Sequence, residues 1–106
     1  MFRMLSSPYI GLLVIILEIS WSRSLKDRRQ VVRSVLERVN HRWNVSSMDL
    51  GPANSRTRVF LGFCALGTSS EMVRQRLDAI AGYVEALESS SEFSMIDKWI
   101  EVDKYD

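Results

Sequence analysis

Two stretches of this chain are apolar on both parities of a strand. In Tyr9 to Ser20, Leu13, Ile15, Leu17 and Ile19 share one side while Leu12, Val14 and Ile16 share the other. In Arg56 to Leu66, Val59, Leu61, Phe63 and Ala65 alternate with Phe60, Gly62, Cys64 and Leu66. Strands of this kind belong at the centre of a sheet. Between them the period becomes helical: Leu25, Val32, Val35, Leu36 and Val39 fall within about 100° on a wheel of 3.6 residues per turn. Ser24, with Asp27 three residues on, predicts the N-cap, and His41-Arg42 suit the negative end of the helix dipole.

The rest of the pattern completes the order. Asn44 to Leu50 predicts a weaker strand anchored by Val45, Met48 and Leu50, followed by the turn signal Gly51-Pro52-Ala53-Asn54-Ser55. Gly62, in mid-strand, predicts a bulge or the close approach of another backbone. Thr68-Ser69-Ser70-Glu71 reads as a capping box for a second helix, to about Leu87, that buries Val73, Leu77, Ile80, Val84 and Leu87. Phe93 to Asp103 predicts the last strand, with Ile96, Ile100 and Val102 on one face and Met95, Asp97, Trp99 and Glu101 on the other. The order β-α-β-β-α-β is the ferredoxin-like α+β arrangement, a four-stranded antiparallel sheet with two helices on one face. Right-handed crossovers put the first and third strands in the centre, where the pattern also wants them.

Two helices cover one face only. Leu12, Val14 and Ile16, with Trp99 on the last strand, would line the uncovered one, and apolar patches of that size are rarely left in water. The candidates to cover it are a second copy, another protein or the N-terminal extension folding back, and the expectation is a homodimer.

Composition adds bounds. The 106 residues make one domain, taken as 9–106, with residues 1–8 a frayed extension. The net charge of +1 hides a division: residues 23–42 hold seven Lys/Arg against Asp27 and Glu37, and residues 85–106 hold seven carboxylates against Lys98 and Lys104. Arg3 before the apolar run Ile10 to Leu17 imitates a secretion signal, but Glu18 ends the run and no small-x-small cleavage site follows. The run is too short to span a bilayer, so the reading is a cytoplasmic protein without membrane attachment.

Candidate chemistry is sparse. Lys26, Arg29 and Arg33 form one stripe beside the apolar arc of the first helix, with Arg23 just before it, a pattern suited to RNA phosphates. The plainer reading is a solvated face with an Arg33–Glu37 pair. Arg28 falls inside the apolar arc, so it either meets a carboxylate such as Glu18 or binds an anion near the helix N-terminus. Phe60 and Phe63 on the third strand offer a weak analogue of the base-stacking platforms of RNA-recognition motifs. One His (His41) and one Cys (Cys64) lie far apart in sequence, and no metal-ligand spacing, phosphate loop or nucleophile elbow occurs. The reading is therefore a non-enzymatic binding module that needs no cofactor and no metal.

The block Arg23-Ser24-Leu25-Lys26-Asp27-Arg28-Arg29 through Val31-Val32-Arg33-Ser34 resembles the YlxP-like family of small bacterial proteins. Members carry a run close to RSLKEKR-x-VVKS-L after the first strand. The likeness continues at Leu36-Glu37-Arg38, Arg42-Trp43-Asn44-Val45 and Leu61-Gly62, over most of residues 10–103. It implies a ferredoxin-like fold and an uncharacterised protein linked to RNA or the ribosome, with no catalytic residues. The chain departs from the family at Asn54-Ser55-Arg56-Thr57-Arg58, where relatives carry an acidic stretch and a Trp.

Overall fold

A computed structural model describes residues 7–90 and 92–105. Its elements are β1 (Tyr9–Glu18), α1 (Leu25–Arg42), β2 (Ser46–Gly51), β3 (Arg58–Gly67), α2 (Ser70–Leu87) and β4 (Ser94–Lys104). A single 3-10 turn, Glu88–Ser90, follows α2. The strands form one antiparallel sheet in the order β2-β3-β1-β4. The doubly apolar strands thus sit in the centre, and both helices lie on one face: the ferredoxin-like fold. Of residues 1–8, expected to fray, 1–6 fall outside the described residues, and the Pro8 carbonyl accepts the Tyr105 N–H at 2.8 Å.

The first helix is capped as its sequence predicts. Ser24 Oγ accepts the Asp27 N–H at 3.0 Å, while Asp27 Oδ2 accepts the Arg23 N–H at 3.0 Å. In α2 the cap lies one residue later than expected. Ser69, not Thr68, accepts from the Met72 N–H at 3.3 Å, which frees Glu71 to bond Gln75 one turn on.

The core lies between helices and sheet. Leu13, Ile15, Leu17, Val59, Leu61 and Phe63 are fully enclosed from the sheet side, against Val35 and Val39 of α1 and Val73, Leu77, Ile80 and Val84 of α2. Gly11 and Gly67 let α2 approach: a Cβ on Gly11 would collide with Val73 and lie 2.7 Å from Leu77, and one on Gly67 would lie 2.7 Å from Val73. The apolar arc of α1 is rotated from expectation. Val31 is buried and Leu25 is 40% exposed, because α1 packs on β2 and α2 and its other flank faces solvent.

Three positions depart from the strand pattern. Gly62 continues the ladder without a bulge, opposite Val14 and Met48, and what approaches it is the Leu50 side chain rather than a backbone. The register shifts lie in the neighbouring strands instead: in β2, where Asp49 pairs Leu61 and Gly51 pairs Phe60 so that Leu50 is extra, and in β4, where Ile16 pairs Asp97 and Leu17 pairs Met95. The extra residue of β4, Ile96, is left out in solvent, and the parity change turns Met95 inward with Ile100 and Val102. In β2 the expected anchors Met48 and Leu50 point away from the helices, so the inward positions go to Ser47 and Asp49.

Candidate functional site

Those inward polar positions explain Arg28. Its place in the apolar arc aims it at β2, where Asp49 waits. Nη1 donates to Asp49 Oδ2 at 2.7 Å, Nη2 to Oδ1 at 3.1 Å, and Nε to the Arg58 carbonyl at 3.2 Å. Farther along the same seam, Asn40 and Ser47 exchange hydrogen bonds at 2.8 and 3.0 Å. The helix therefore meets the edge strand through polar pairs, not through Leu25. Burial raises the Asp49 carboxyl, but the Arg28 hydrogen bonds, the Gly51 N–H and the guanidinium charge together bring it below its ordinary value.

The pairing differs from the expected Arg28–Glu18 contact for a geometric reason. Glu18 lies on the other face of the sheet, opposite Arg58 in the ladder, and takes Arg58 Nε at 2.7 Å. Hydrogen bonds from Arg58 and Thr57 lower its pKa. Arg28 is 4% exposed and fully engaged, so it is no longer available to an external phosphate.

The remaining cations of the first helix are placed differently. Lys26, Arg29 and Arg33 are exposed on the flank beyond Leu25 and Leu36, and among the described residues none has an ion-pair partner. Arg33 and Glu37, one turn apart, form no ion pair. Arg23 is exposed at the helix entrance, and Arg56 donates to its carbonyl at 3.4 Å. Arg56 thus extends the basic flank from the turn before β3. It stands in the stretch Asn54 to Arg58, where the sequence reading places a departure from the family it resembles. Arg42, by contrast, lies 4.6 Å from the Tyr83 ring centroid beside Trp43 and tethers the two helices.

The face away from the helices has its own composition. Leu12 (41%) and Trp99 (43%) are exposed there as expected, whereas Val14 is only 4% exposed and Ile16 half-buried. Val14 sits in register between Trp99 and Gly62, over which Leu50 leans. Phe63 points into the core and is fully buried, which removes it as a stacking platform; Phe60 is half-buried on the open side. Alternating with Trp99 along β4 are Asp97, Glu101 and Asp103, opposite Ile16, Leu12 and Ile10. These three acidic residues of β4 therefore lie on the face opposite the helices, away from the basic flank of α1.

The single His and the single Cys lie on opposite sides of the sheet. His41 is exposed on the last turn of α1, on the helix side of the sheet, and Cys64 lies on the open side. Among the described residues no group of three His, Cys, Asp or Glu is placed to hold a metal ion. No described helix is long and apolar enough to cross a membrane.

Comparisons with known proteins agree with the resemblance read from the first helix. The "Uncharacterized protein YlxP" of Bacillus subtilis strain 168 is 27% identical over 63 residues, 59% of this chain and 68% of that protein. Among solved structures, the de novo designed protein Foldit4 superposes with a TM-score of 0.48 at 13% identity, covering 92% of this chain and 97% of that one. The family described as "Protein of unknown function (DUF503)" matches residues 10–98, and the chain belongs to that family.

Proposed function

We propose that this protein is a small cytoplasmic binding module, without catalytic chemistry of its own, that holds RNA phosphates on the outer flank of α1. One observation carries the reading. Of the cations in the first helix, Arg28 is buried on Asp49, while Lys26, Arg29 and Arg33 stay exposed in one stripe without acidic partners. Arg23 and Arg56 extend that stripe at its N-terminal end. Successive stripe positions are three or four residues apart, about 4.5–6 Å along the axis, so the stripe presents a row of charges to a phosphate backbone. Such contacts position a nucleic acid and read no bases. The partner class is therefore structured RNA bound by its backbone, of the ribosomal or transfer kind.

The test is fluorescence anisotropy of labelled ribosomal and transfer RNA across a salt series. The whole chain should bind with an affinity that falls steeply as salt rises. Changing Lys26, Arg29 and Arg33 together to Ala should flatten the log–log salt slope by about 2–3. Absence of binding at low salt, or a slope unchanged in the triple variant, would overturn the reading.

A further inference from the structure

The open face of the sheet is a second surface, separated from the basic flank by the sheet itself. Its centre is apolar and accessible: Leu12, Met48, Leu50 and Leu66 are 41–63% exposed. A groove of about 350 Å³, lined by Leu12, Met48, Leu50 and Cys64, lies beside Gly62, over which the Leu50 side chain leans. One border of this apolar ground is the row Asp97, Trp99, Glu101 and Asp103 on β4. The one cation on this face among the described residues, Arg58, is held by Glu18, and Lys98 and Lys104 lie on the other parity of β4.

We propose that this face docks a basic amphipathic helix of a partner protein. Its apolar stripe would seat over Leu12 and Met48 with one side chain in the Gly62 groove. Its Lys/Arg flank would run along Asp97, Glu101 and Asp103, and Trp99 would close the boundary between the two. The dimensions suit a helix. Outer strands of a four-stranded sheet stand about 14 Å apart, wide enough for a cylinder of about 10 Å. Glu101 and Asp103 stand two residues apart on β4, about 6.7 Å, which matches cations four apart on a helix at about 6 Å, and Asp97, about 13 Å before Glu101, matches a cation two further turns along at about 12 Å. Charge decides between occupants. A second copy laid face to face brings six carboxylates into one interface and, among the described residues, no cation beyond the Arg58 that Glu18 holds, which opposes association. The exposed flank of another copy's α1 has the cations but no apolar row to fill the groove. RNA phosphates are repelled by the same carboxylates.

The experiment titrates the isotope-labelled full chain with a designed 18-residue peptide, leucine along one helical face and lysine elsewhere, followed by NMR. A second peptide replaces every lysine with glutamate. The lysine peptide should shift the amide signals of Leu12, Met48 and Gly62 and the Trp99 indole signal, and the glutamate peptide should bind at least 100-fold more weakly. The variant D97N/E101Q/D103N, on exposed positions of a folded sheet, should lose at least tenfold in affinity with its RNA binding unchanged. Equal binding of both peptides, no binding of the lysine peptide at low salt, or shifts that ignore the triple variant would each overturn the proposal. So would sedimentation showing a dimer of the free chain that Leu12→Asp disperses, since a second copy would then hold the face.

Discussion

β1 is one strand with two apolar sides that meet different surroundings. On the helix side Leu13, Ile15 and Leu17 are fully enclosed; on the other, Leu12 and Ile10 remain 41% and 38% exposed. Hydropathy hardly distinguishes the two sets. What separates them is the chemistry of the layer each one faces. The covered side meets two helices whose polar groups are consumed at the α1–β2 seam, so it closes. The open side is bordered by carboxylates on β4 and by small or apolar residues on β2; Val14 is enclosed beside Trp99, but no described helix lies over Leu12 and Ile10. A doubly apolar strand thus reports a central position in the sheet, while the charge at the edge reports what kind of neighbour each face can take.

The sharpest way to break this contrast is truncation on each side of β1. Ile15→Ala should cost about 2–5 kcal/mol by urea unfolding, through lost burial and the cavity left behind. Leu12→Ala, two-fifths exposed, should cost under about 1 kcal/mol. Equal losses would mean that the open face is covered in the isolated chain.

The seam between α1 and β2 allows a finer test. Asp49→Ala strands a buried guanidinium and should destabilise by about 2–3 kcal/mol, discounted because Asp49 is itself partly exposed. Arg28→Met removes the charge but keeps an apolar stem in place, so its cost should be smaller. The pair also sets a pH dependence. The Asp49 carboxyl is lowered on folding, so its contribution is fully present above the ordinary carboxylate value of about 4 and is lost as pH falls through the folded value. Melting temperatures from pH 7 downward should fall less in Asp49→Asn than in the unaltered chain. A parallel decline in both would transfer the acid sensitivity to Glu18, which is lowered in the same sense by Arg58 and Thr57.

Two glycines give the smallest and most local contrast. Gly11→Ala pushes a methyl into Val73 and Leu77 and should cost about 1–3 kcal/mol. In α2 a Cβ on Gly82 meets nothing within 4 Å, so Gly82→Ala should stabilise by about 0.5–1 kcal/mol. Thermal melts of the two variants should therefore move in opposite directions.

Much of the architecture was legible in the residues alone, because the signals are local. Strand parity at Leu12 to Leu17, the Ser24–Asp27 cap and the helical spacing of Val73, Leu77, Ile80 and Val84 each depend on neighbours within a few positions. Together with the handedness of crossovers they determine element order and the central pair of strands. The α2 cap shows the resolution of such signals: Thr68 and Ser69 are both competent, and chain geometry selected Ser69. The family likewise was readable in the block from Arg23 to Ser34.

What the tertiary structure alone decided depends on register. Whether Arg28 met Glu18 or Asp49 turned on which face of the sheet each carboxylate occupied, and β2, with its polar inward positions, concealed that. One inserted residue at Ile96 reversed the sides of Met95 and Ile96 against simple alternation. The holding of Arg28 followed from the same source. The helical wheel already set Arg28 inside the apolar arc and Lys26, Arg29 and Arg33 beside it, but only the arrival of β2, brought in by its pairing with β3, supplied the carboxylate that holds Arg28. Ion pairs between distant segments are set by register and bulges, which belong to the whole sheet and not to any one stretch of chain.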